Sequence, residues 1–407
     1  MKNHVFDTLL ARGYIAQVTH EDEVRQYLSN RGATFYIGFD PTADSLHAGH
    51  LLQIMVMKHM QDAGIVPIAL MGGGTGYIGD PSGRTDMRSV LSPETIQHNV
   101  GCFIKQMKRI LDVSEGKIIF ADNADWLVPM NYIEFIREVG PHFTISRMLG
   151  ADCYKQRLDS GLTFLEFNYM TLQAFDFLQL FRRYGCRLQA GGDDQWSNII
   201  AGAELIRRKE QESANGMTFK LLTTASGAKM GKTAKGALWL DEDKCSVYDF
   251  YQYWRNIEDE IVTQSMRLMT MLPLEEIEAY DKLKGSAINE AKERLALEVT
   301  SIVHGREKAE QAAQAARSVF GTGGDDSSVP TEIISRDELG ATFIDILANH
   351  KITSSKGEAR RLIGQGGLYT GNQPVKELFA ELKEEAFTDS ELLIRLGKKR
   401  YIKLILK

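Results

Sequence analysis

TFYIGFDPTADSLHAGHLLQIMVMKHM, residues 34–60, decides the fold class of this chain. The stretch opens with a β-prone run, turns at Asp40-Pro41, and enters a helix for which Ser45 is the expected N-cap. Leu46, Leu51 and Ile54 recur at helical spacing after that cap. The pattern therefore predicts a strand, a loop and a helix, the building unit of an α/β fold.

Two histidines lie in the first turns of this expected helix. His47 and His50 are three residues apart and share one face, at the end where unpaired backbone N–H groups favour an anion. Gly49 costs roughly 0.5–1 kcal/mol inside a helix relative to alanine, so a ligand resting on the helix or a tight packing contact must compensate. The pattern favours a polyphosphate site, with ordinary capping or surface histidines as the alternative. A zinc site is disfavoured because no further ligand follows at the spacing of helical zinc motifs.

Composition limits the class of protein. The chain has 407 residues, of which 43% are hydrophobic and 25% charged, enough for two or three domains with apolar cores. We expect a soluble, cytoplasmic protein without a membrane partner, because neither a signal pattern nor an apolar run of ~18 residues is present. The 4 cysteines are scattered, which predicts free thiols. With a formal net charge of −6, any nucleic-acid contact depends on local basic patches.

A second strand and a glycine-rich loop follow at residues 65–71 and 72–84. Three glycines of the loop match the dinucleotide fingerprint G-x-G-x-x-G, but Pro81 and Gly83 interrupt the helix that this fingerprint requires. A nicotinamide dehydrogenase is therefore not expected. Asp80 stands where a P-loop would have lysine, so it suits an ammonium group, or it caps a turn.

Residues 166–183 predict one helix with a polar stripe of Tyr169, Gln173 and Asp176. This stripe is either a solvated face or a buried polar site for a small ligand. A strand is expected at 187–190, and the glycines and acids of GGDDQW at 191–196 come at its carboxyl end, where open α/β sheets bind ligands. The small residues at 227–236 predict a mobile loop with three lysines, which is either a phosphate-binding segment or a solvated basic loop.

Four ordered motifs resemble those of class I aminoacyl-tRNA synthetases, specifically the bacterial-type tyrosyl-tRNA synthetases. They are YIGFDPTADSLHAGH at 36–50, NYMTLQAFDF at 168–177, GGDDQW at 191–196 and KMGKT at 229–233. The resemblance covers nearly the whole chain. It implies activation of L-tyrosine with ATP to tyrosyl-adenylate, followed by transfer to the terminal adenosine of tRNA(Tyr).

The resemblance also implies a role for each matching residue. The catalytic set is Thr42, His47, His50, Lys229, Lys232 and Thr233. The tyrosine site comprises Tyr36 and Asp176 at the phenolic hydroxyl, Asp80, Tyr169 and Gln173 at the ammonium, and Gln195 near the carboxylate. The ATP site comprises Gly38, Asp40, Gly49, Asp194 and Lys232, with Arg84 and Arg88 receiving pyrophosphate. ATP is a substrate with Mg²⁺, and neither a protein metal site nor a tightly bound cofactor is expected.

The expected fold is α/β: a Rossmann-like parallel-sheet catalytic domain, then a helical domain and a small α+β RNA-binding domain. The expected domains are residues 1–225 for catalysis, 226–322 for the lysine-bearing loop and anticodon-side helices, 323–334 as a linker, and 335–407 for RNA binding. Residues 1–33 predict a helical lead-in, and further helices are expected at 248–257, 261–271, 274–283 and 287–316.

The last domain is locally basic, with 13 Lys and Arg against 10 Asp and Glu in residues 335–407. The candidate tRNA contacts are Lys356, Arg360 and Arg361 on one expected helix and Lys398, Lys399 and Arg400 in an expected hairpin turn. Such clusters are often a solvated face, but this domain resembles a small RNA-binding module shared with a ribosomal protein, which favours contact with tRNA phosphates.

The sequence leaves two alternative functions open and implies one oligomeric state. An RNA-binding paralogue without the chemistry is disfavoured by the intact His47 and Lys232, and a ligase for tryptophan is disfavoured by the Tyr36 and Asp176 pair. The family resemblance implies a homodimer, with tRNA docking across the two subunits.

Overall fold

A computed structural model describes residues 4–82, 91–158, 161–224, 227, 230–233, 236–320, 330–371, 373–375, 377–388, 390–397 and 400–407. The chain divides into two compact units. Unit 1 contains Met1–Cys245 and Tyr253–Val303, and unit 2 contains Ser246–Gln252 and His304–Lys407.

Unit 1 is built on a mixed sheet, described here within the residues given above. Its strands are β1 Ile15–Val18, β2 Thr34–Phe39, β3 Val66–Met71, β4 Ile119–Asp122, β5 Leu188–Gly192 and β6 Asn215–Phe219. Their spatial order is β1-β6-β5-β2-β3-β4, and every neighbouring pair is parallel except β1 with β6. The expected Rossmann-like α/β fold is confirmed.

The strand order reverses between β2 and β5. These two strands pair through Tyr36 and Gln189, while β3 and β4 continue the sheet on one side and β6 on the other. In open α/β sheets, ligands bind outside the carboxyl ends of the strands at such a reversal. The topology therefore places the loops after β2 and β5 at one crevice.

The amino-terminal segment is not only helical. The expected helical lead-in is wrong for Ile15–Val18, which forms the edge strand β1 and pairs antiparallel with β6. A four-residue strand has too short a pattern to be recognised from its own sequence, and pairing with a distant strand stabilises it.

Helices cover the sheet and continue into unit 2. In chain order they are α1 Val5–Arg12, α2 Glu21–Leu28, α3 Ala48–Asp62, α4 Pro93–Met107, α5 Ala124–Leu127, α6 Tyr132–Val139, α7 Ile145–Leu149, α8 Asp152–Leu158, α9 Phe164–Phe167, α10 Tyr169–Tyr184, α11 Trp196–Glu210, α12 Val247–Arg255, α13 Val262–Met269, α14 Leu274–Tyr280, α15 Ile288–His304, α16 Arg306–Phe320, α17 Phe343–Asn349 and α18 Lys356–Gly364. Helix α3 buries Leu51, Ile54 and Met55 completely, so the strand–loop–helix prediction for residues 34–60 is confirmed.

Two expected helices are each divided in the structure. Residues 287–316 fall in α15 and α16, which meet at Gly305, a glycine with φ of 90° that ends the first helix. Residues 166–183 fall in α9 and α10, because Asn168 is the C-cap of one helix and the N-cap of the next. Hydrophobic periodicity continued across both breaks, so it did not reveal them.

Unit 2 contains a separate α+β domain, as expected. Its strands are β9 Thr331–Ile334, β10 Leu368–Thr370, β11 Gln373–Pro374, β12 Glu391–Leu396 and β13 Arg400–Leu406, in the order β11-β10-β12-β13-β9. They enclose a core with helices α17 and α18, in which Ile334, Leu347 and Leu404 are fully buried. The expected linker, residues 323–334, lies outside the described residues as far as 329, and its last four residues form β9.

Among the described helices, none is both long and apolar enough to cross a membrane. All four cysteines are free thiols.

Candidate active site

A cavity of about 490 Å³ opens where the strand order reverses. Most predicted tyrosine, ATP and catalytic residues line it: Tyr36, Gly38, Asp40, Thr42, His47, Gly49, His50, Asp80, Tyr169, Gln173, Asp176, Asp194 and Gln195. Arg84, Arg88 and Lys229 lie outside the described residues, and Lys232 and Thr233 are described only as backbone, in the short strand β7 Lys232–Thr233, which pairs with β8 Gly236–Ala237. Because Tyr169, Gln173 and Asp176 are among the lining residues, the polar stripe of α10 faces the cavity and not solvent.

A buried carboxyl lies at one end of the cavity. Asp176 is 2% exposed and accepts hydrogen bonds from Asn123 Nδ2 at 2.9 Å and Trp126 Nε1 at 2.7 Å. Burial raises the pKa of Asp176 to about 8. Each carboxyl oxygen is thus oriented by its own donor, and at neutral pH the group can donate or accept one further hydrogen bond.

Tyr36 brings a hydroxyl to the same end. Its side chain is 1% exposed, and its Oη has no hydrogen-bond partner among the described residues. Burial, and then the neighbouring Asp176, raise the pKa of Tyr36 well above its ordinary value. An unpaired buried hydroxyl costs roughly 1–3 kcal/mol, so this pair of groups is preorganised for a ligand that carries its own hydroxyl.

A second buried carboxyl lies in the loop after β3. Asp80 Oδ1 accepts from the Ser82 amide at 2.9 Å, and its Oδ2 accepts from Gln195 Nε2 at 2.7 Å. The turn-capping interpretation of Asp80 therefore holds for one oxygen, while the other faces the cavity residue Gln195. Burial raises the pKa of Asp80 to about 6, so the group is a carboxylate at neutral pH and suits a cationic ligand group.

Asp40 joins the predicted tyrosine and ATP sites. Its two oxygens accept from Thr75 Oγ1 and from Tyr169 Oη, each at 2.8 Å. A Cβ at Gly72 would lie 2.2 Å from Asp40 Oδ1, so only glycine leaves room for this carboxylate. Because Tyr169 and Asp40 bond directly, the two predicted sites form one continuous cavity.

The acids of GGDDQW face different ways. Asp194 lines the cavity, whereas Asp193 Oδ1 accepts from Gln17 Nε2 and Thr218 Oγ1, each at 2.7 Å. Asp193 therefore anchors the single helical turn Asp193–Gln195 to the edge of the sheet.

The two histidines form the start of α3. The N-cap is His47 and not Ser45, a correction of the sequence prediction. Ser45 is fully buried and its hydroxyl donates to the Leu46 carbonyl, so it is not available to the helix. His47 Nδ1 accepts from the Gly49 amide at 3.0 Å, and His50 Nδ1 accepts from the His47 amide at 3.2 Å.

This reciprocal capping fixes the chemistry of both rings. Since each Nδ1 is an acceptor, the neutral rings carry their proton on Nε2. The rings stack with centroids 3.8 Å apart, and burial lowers the pKa of His47, which keeps that ring neutral. Two Nε2–H donors therefore lie side by side at a helix N-terminus, an arrangement that suits phosphate oxygens.

The tight-contact explanation of Gly49 is supported by the structure. A Cβ at Gly49 would lie 2.9 Å from His47 Cε1 and 3.1 Å from its Nδ1. Glycine is needed because the capping ring of His47 folds back over this position.

The predicted tRNA contacts lie in unit 2. Lys356, Arg360 and Arg361 are exposed on α18, where Lys356 Nζ pairs with Asp345 Oδ1 at 2.6 Å. Arg400 donates to the Ile352 carbonyl at 2.8 Å and so binds its own domain. Lys398 and Lys399 lie outside the described residues.

Sequence reasoning missed three polar residues of the cavity lining, Thr75, Asn123 and Gln189, and one residue that supports it, Trp126. Asn123 and Trp126 hold Asp176, and Thr75 holds Asp40. Gln189 lines the cavity and its Oε1 is buried without a hydrogen-bond partner among the described residues. The sequence did contain a signal for Asn123. It follows the apolar run that forms β4, and polar residues after a strand of a parallel sheet face the ligand-binding crevice at the carboxyl ends of the strands.

A metal site built from protein ligands is not found. Within the described residues, no group of three or more His, Cys, Asp or Glu could hold a metal ion.

Comparisons with known proteins match this chain over its whole length. A family model for class I tRNA synthetases (W and Y) matches residues 28–321, and a model for the tyrosine–tRNA ligase SYY-like C-terminal domain matches residues 325–404. The tyrosine–tRNA ligase of Clostridium perfringens (strain 13 / Type A) is 55% identical over 403 residues, covering 99% of both chains. That of Clostridium botulinum (strain Loch Maree / Type A3) is 54% identical over 406 residues, covering 100% of both.

Solved structures agree with these matches. A C-terminally truncated Aspergillus nidulans mitochondrial tyrosyl-tRNA synthetase aligns with a TM-score of 0.70 at 28% identity, over 79% of this chain and 95% of that chain. Tyrosyl-tRNA synthetase from Archaeoglobus fulgidus aligns with a TM-score of 0.59 at 15% identity, over 76% of this chain and 99% of that chain, and shares the fold.

Proposed function

The chain belongs to the class I tRNA synthetases for tryptophan and tyrosine, and from this premise we propose that it joins L-tyrosine to tRNA(Tyr). The observation that carries the proposal is the buried pair of Tyr36 and Asp176 in the lining of the cavity. A phenol satisfies the Tyr36 hydroxyl and bonds to Asp176, whereas an indole or phenyl ring leaves both groups without that partner. The RNA-binding paralogue is not favoured, since the chain is this similar to curated ligases along its full length.

The first step is attack by the tyrosine carboxylate on the α-phosphorus of ATP. A carboxyl O–P bond forms, the bond from the α-phosphorus to the bridging oxygen breaks, and pyrophosphate leaves with that electron pair. In the second step a ribose hydroxyl of the tRNA attacks the carbonyl carbon, and AMP leaves. The substrate supplies the nucleophile, so the protein contributes positioning and charge stabilisation.

These tasks are divided among the residues matched to the family, inside and outside the described cavity lining. His47 and His50 donate their Nε2–H groups to phosphate oxygens as negative charge develops, with Thr42, Lys229, Lys232 and Thr233 at the same phosphates. Asp80, held by Ser82 and Gln195, binds the tyrosine ammonium with Tyr169 and Gln173, and Gln195 lies near the carboxylate. Gly38, Asp40, Gly49 and Asp194 contact the adenosine, and Arg84 and Arg88 receive pyrophosphate.

ATP is a substrate of this family, and we propose that Mg²⁺ enters with it. Mg²⁺ commonly binds through substrate phosphates and one or two carboxylates rather than a protein cage.

Exchange of labelled pyrophosphate into ATP without tRNA tests the function. The purified chain is offered tyrosine, phenylalanine and tryptophan in separate reactions. We expect exchange with tyrosine alone. Folded protein without exchange for any of the three amino acids would refute the proposal. Exchange with tryptophan alone would identify tryptophan as the substrate in place of tyrosine.

We expect tyrosine activation to weaken in acid. The pKa of Asp80 is about 6, so its carboxylate is about 90% ionised at pH 7 and about 10% at pH 5, and only the ionised form binds the ammonium. Because kcat/KM reports the free enzyme, it should fall about tenfold between pH 7 and pH 5 in the exchange assay. Asp80→Asn should have low activity without this inflection, and a wild-type profile that is flat over this range would contradict the role of Asp80.

We also propose a homodimer formed through the surface between residues 128 and 165. Large exposed hydrophobic residues concentrate there among the described residues: Val128 (61%), Tyr132 (57%), Ile133 (62%), Ile145 (61%) and Phe164 (71%). Surfaces of this kind mark protein–protein interfaces, and a second copy supplies a self-complementary partner.

Phe164→Asp is expected to convert the dimer to a monomer in sedimentation experiments, because it buries a charge in an apolar interface. The aspartate would lie at the first position of α9, where a negative charge is favourable, so folding should be unaffected. Phe379→Asp is the matched control, since Phe379 is 65% exposed in unit 2 and should leave the dimer intact. A dimer that survives Phe164→Asp would contradict this interface.

The small domain is proposed to bind tRNA phosphates through Lys356, Arg360, Arg361, Lys398, Lys399 and Arg400. Reversing two exposed charges, Arg360→Glu with Arg361→Glu, should raise the KM for tRNA in aminoacylation about tenfold or more and reduce its salt dependence. Pyrophosphate exchange should be unchanged, because it does not use tRNA. Lys383→Glu, at an exposed lysine outside the predicted set, is the control. An unchanged KM for tRNA would indicate that tRNA contacts residues other than Arg360 and Arg361.

The remaining proposals concern organisation. We propose that residues 1–225 carry catalysis, that residues 226–322 carry the lysine-bearing loop and anticodon-side helices, that residues 323–334 act as a linker, and that residues 335–407 bind RNA. We propose that the protein acts in the cytoplasm.

A further inference from the structure

Gly231 is held by both of its backbone groups. Its amide donates to Tyr253 Oη at 2.9 Å, and its carbonyl accepts from the Leu238 amide at 2.6 Å. Its φ of 85° lies in the left-handed region, which glycine adopts without strain. The backbone conformation immediately before Lys232 is therefore set by two specific hydrogen bonds.

The same glycine lies against the start of α3. A Cβ at Gly231 would lie 3.3 Å from the Ala48 Cβ, and Ala48 stands beside His47. The Ala48 amide donates to the Leu238 carbonyl at 3.0 Å, and the Leu240 amide donates to the Leu46 carbonyl at 2.9 Å. The segment after β8 thus pairs with the segment that carries His47, and Gly231 lies between that segment and Lys232.

Tyr253 is suited to hold this junction. It lies near the end of α12, it is half-buried, and its ring makes an edge contact with Trp254 at 5.4 Å between centroids. Burial raises the pKa of Tyr253, so its hydroxyl is retained at neutral pH. Tyr253 is not among the described residues that line the cavity.

We propose that Tyr253 is a positioning residue for tyrosine activation, whose hydroxyl holds Gly231 and thereby sets Lys232 relative to His47 and His50. This inference rests on the proposed ligase function. The Tyr253 hydroxyl accepts a hydrogen bond from the Gly231 amide, so removing the hydroxyl loosens the position of Lys232 while the tyrosine pocket on β2 and α10 stays intact.

Tyr253→Phe tests the proposal, because it removes only the hydroxyl. In pyrophosphate exchange we expect kcat to fall about two- to tenfold, the range of one net hydrogen bond, with an unchanged KM for tyrosine. The melting temperature should fall modestly, because the buried Gly231 amide loses its acceptor. Tyr248→Phe is the matched control on the same helix: its hydroxyl accepts from Gln252 Nε2 at 2.9 Å, and its loss should leave kcat unchanged. A kcat for Tyr253→Phe equal to that of the wild type overturns the inference.

Two further measurements separate the possible failures. Hydrogen exchange at the Gly231 amide should accelerate in Tyr253→Phe, and this readout does not depend on activity. A wild-type protein without exchange activity would refute the ligase function, whereas an active wild type with an equally active Tyr253→Phe would refute only the positioning role. A double-mutant cycle with Gly231→Ala should be non-additive, since both changes act on one backbone position, and additive effects would count against the proposal.

Discussion

Asp176→Ala is expected to lower kcat/KM for tyrosine activation by about 10³-fold and to remove most of the preference for tyrosine over phenylalanine. A site built to bond a hydroxyl discriminates by about 10⁴–10⁵ against the analogue without it, a magnitude for which tyrosyl-tRNA synthetase is itself the standard example. Asp176 is one of the two groups that produce this selectivity here. Exchange assays with tyrosine and with phenylalanine measure both quantities.

Stability must be measured beside activity for this variant. Alanine at position 176 leaves the buried donors Asn123 Nδ2 and Trp126 Nε1 without an acceptor, at roughly 1–3 kcal/mol each, so the melting temperature should fall. An Asp176→Ala protein that stays folded and still prefers tyrosine strongly would show that Asp176 does not read the hydroxyl.

Tyr36→Phe is expected to reduce tyrosine activation without reducing the stability of the protein. The Tyr36 Oη is buried without a hydrogen-bond partner among the described residues, so its removal should leave the free energy of unfolding unchanged or raise it by about 1 kcal/mol. Tyrosine activation should nevertheless fall about tenfold, because the substrate hydroxyl loses a partner. A loss of activity together with a loss of stability would instead indicate a structural role for this hydroxyl.

His50→Ala is expected to lower kcat for tyrosine activation by about 10²-fold or more, with little change in the KM for tyrosine. Removing one preorganised donor to developing negative charge costs about 10²–10³ in kcat. The tyrosine pocket is formed by other residues, so ground-state binding of the amino acid should be retained. Pyrophosphate exchange at saturating tyrosine and ATP measures the effect.

Two variants control for the structural role of His50. Its Nδ1 completes the capping box at the start of α3, and glutamine is a usual residue at that position. His50→Gln should therefore keep the wild-type melting temperature while kcat still falls, since the amide oxygen is used on the His47 backbone. His98→Ala removes a histidine that does not line the cavity and should leave activity unchanged. Wild-type kcat in His50→Gln, with capping preserved and the imidazole gone, would contradict the catalytic role.

Local sequence patterns were sufficient to predict the first strand–loop–helix unit and the family of this protein. The strand Thr34–Phe39, the helix Ala48–Asp62 and the shared face of His47 and His50 follow from periodicity and spacing within a few residues. The four ordered motifs indicated the family, and most of the described residues predicted for the tyrosine, ATP and catalytic sites line one cavity. Patterns of this range depend on neighbours in the sequence, which is why they could be recognised without a structure.

Tertiary structure decided what depends on distant partners. Asn123 and Trp126 orient Asp176 only because the segment after β4 packs against α10 in the folded unit, and burial raises the pKa of Asp176 to about 8. The strand β1 and the hydroxyl of Tyr253 on Gly231 likewise require contacts between remote segments. Sequence alone determined which chemistry this chain carries. The packing of remote segments decided the protonation, orientation and spacing of the groups that perform it, because burial and hydrogen-bond partners exist only in the folded chain.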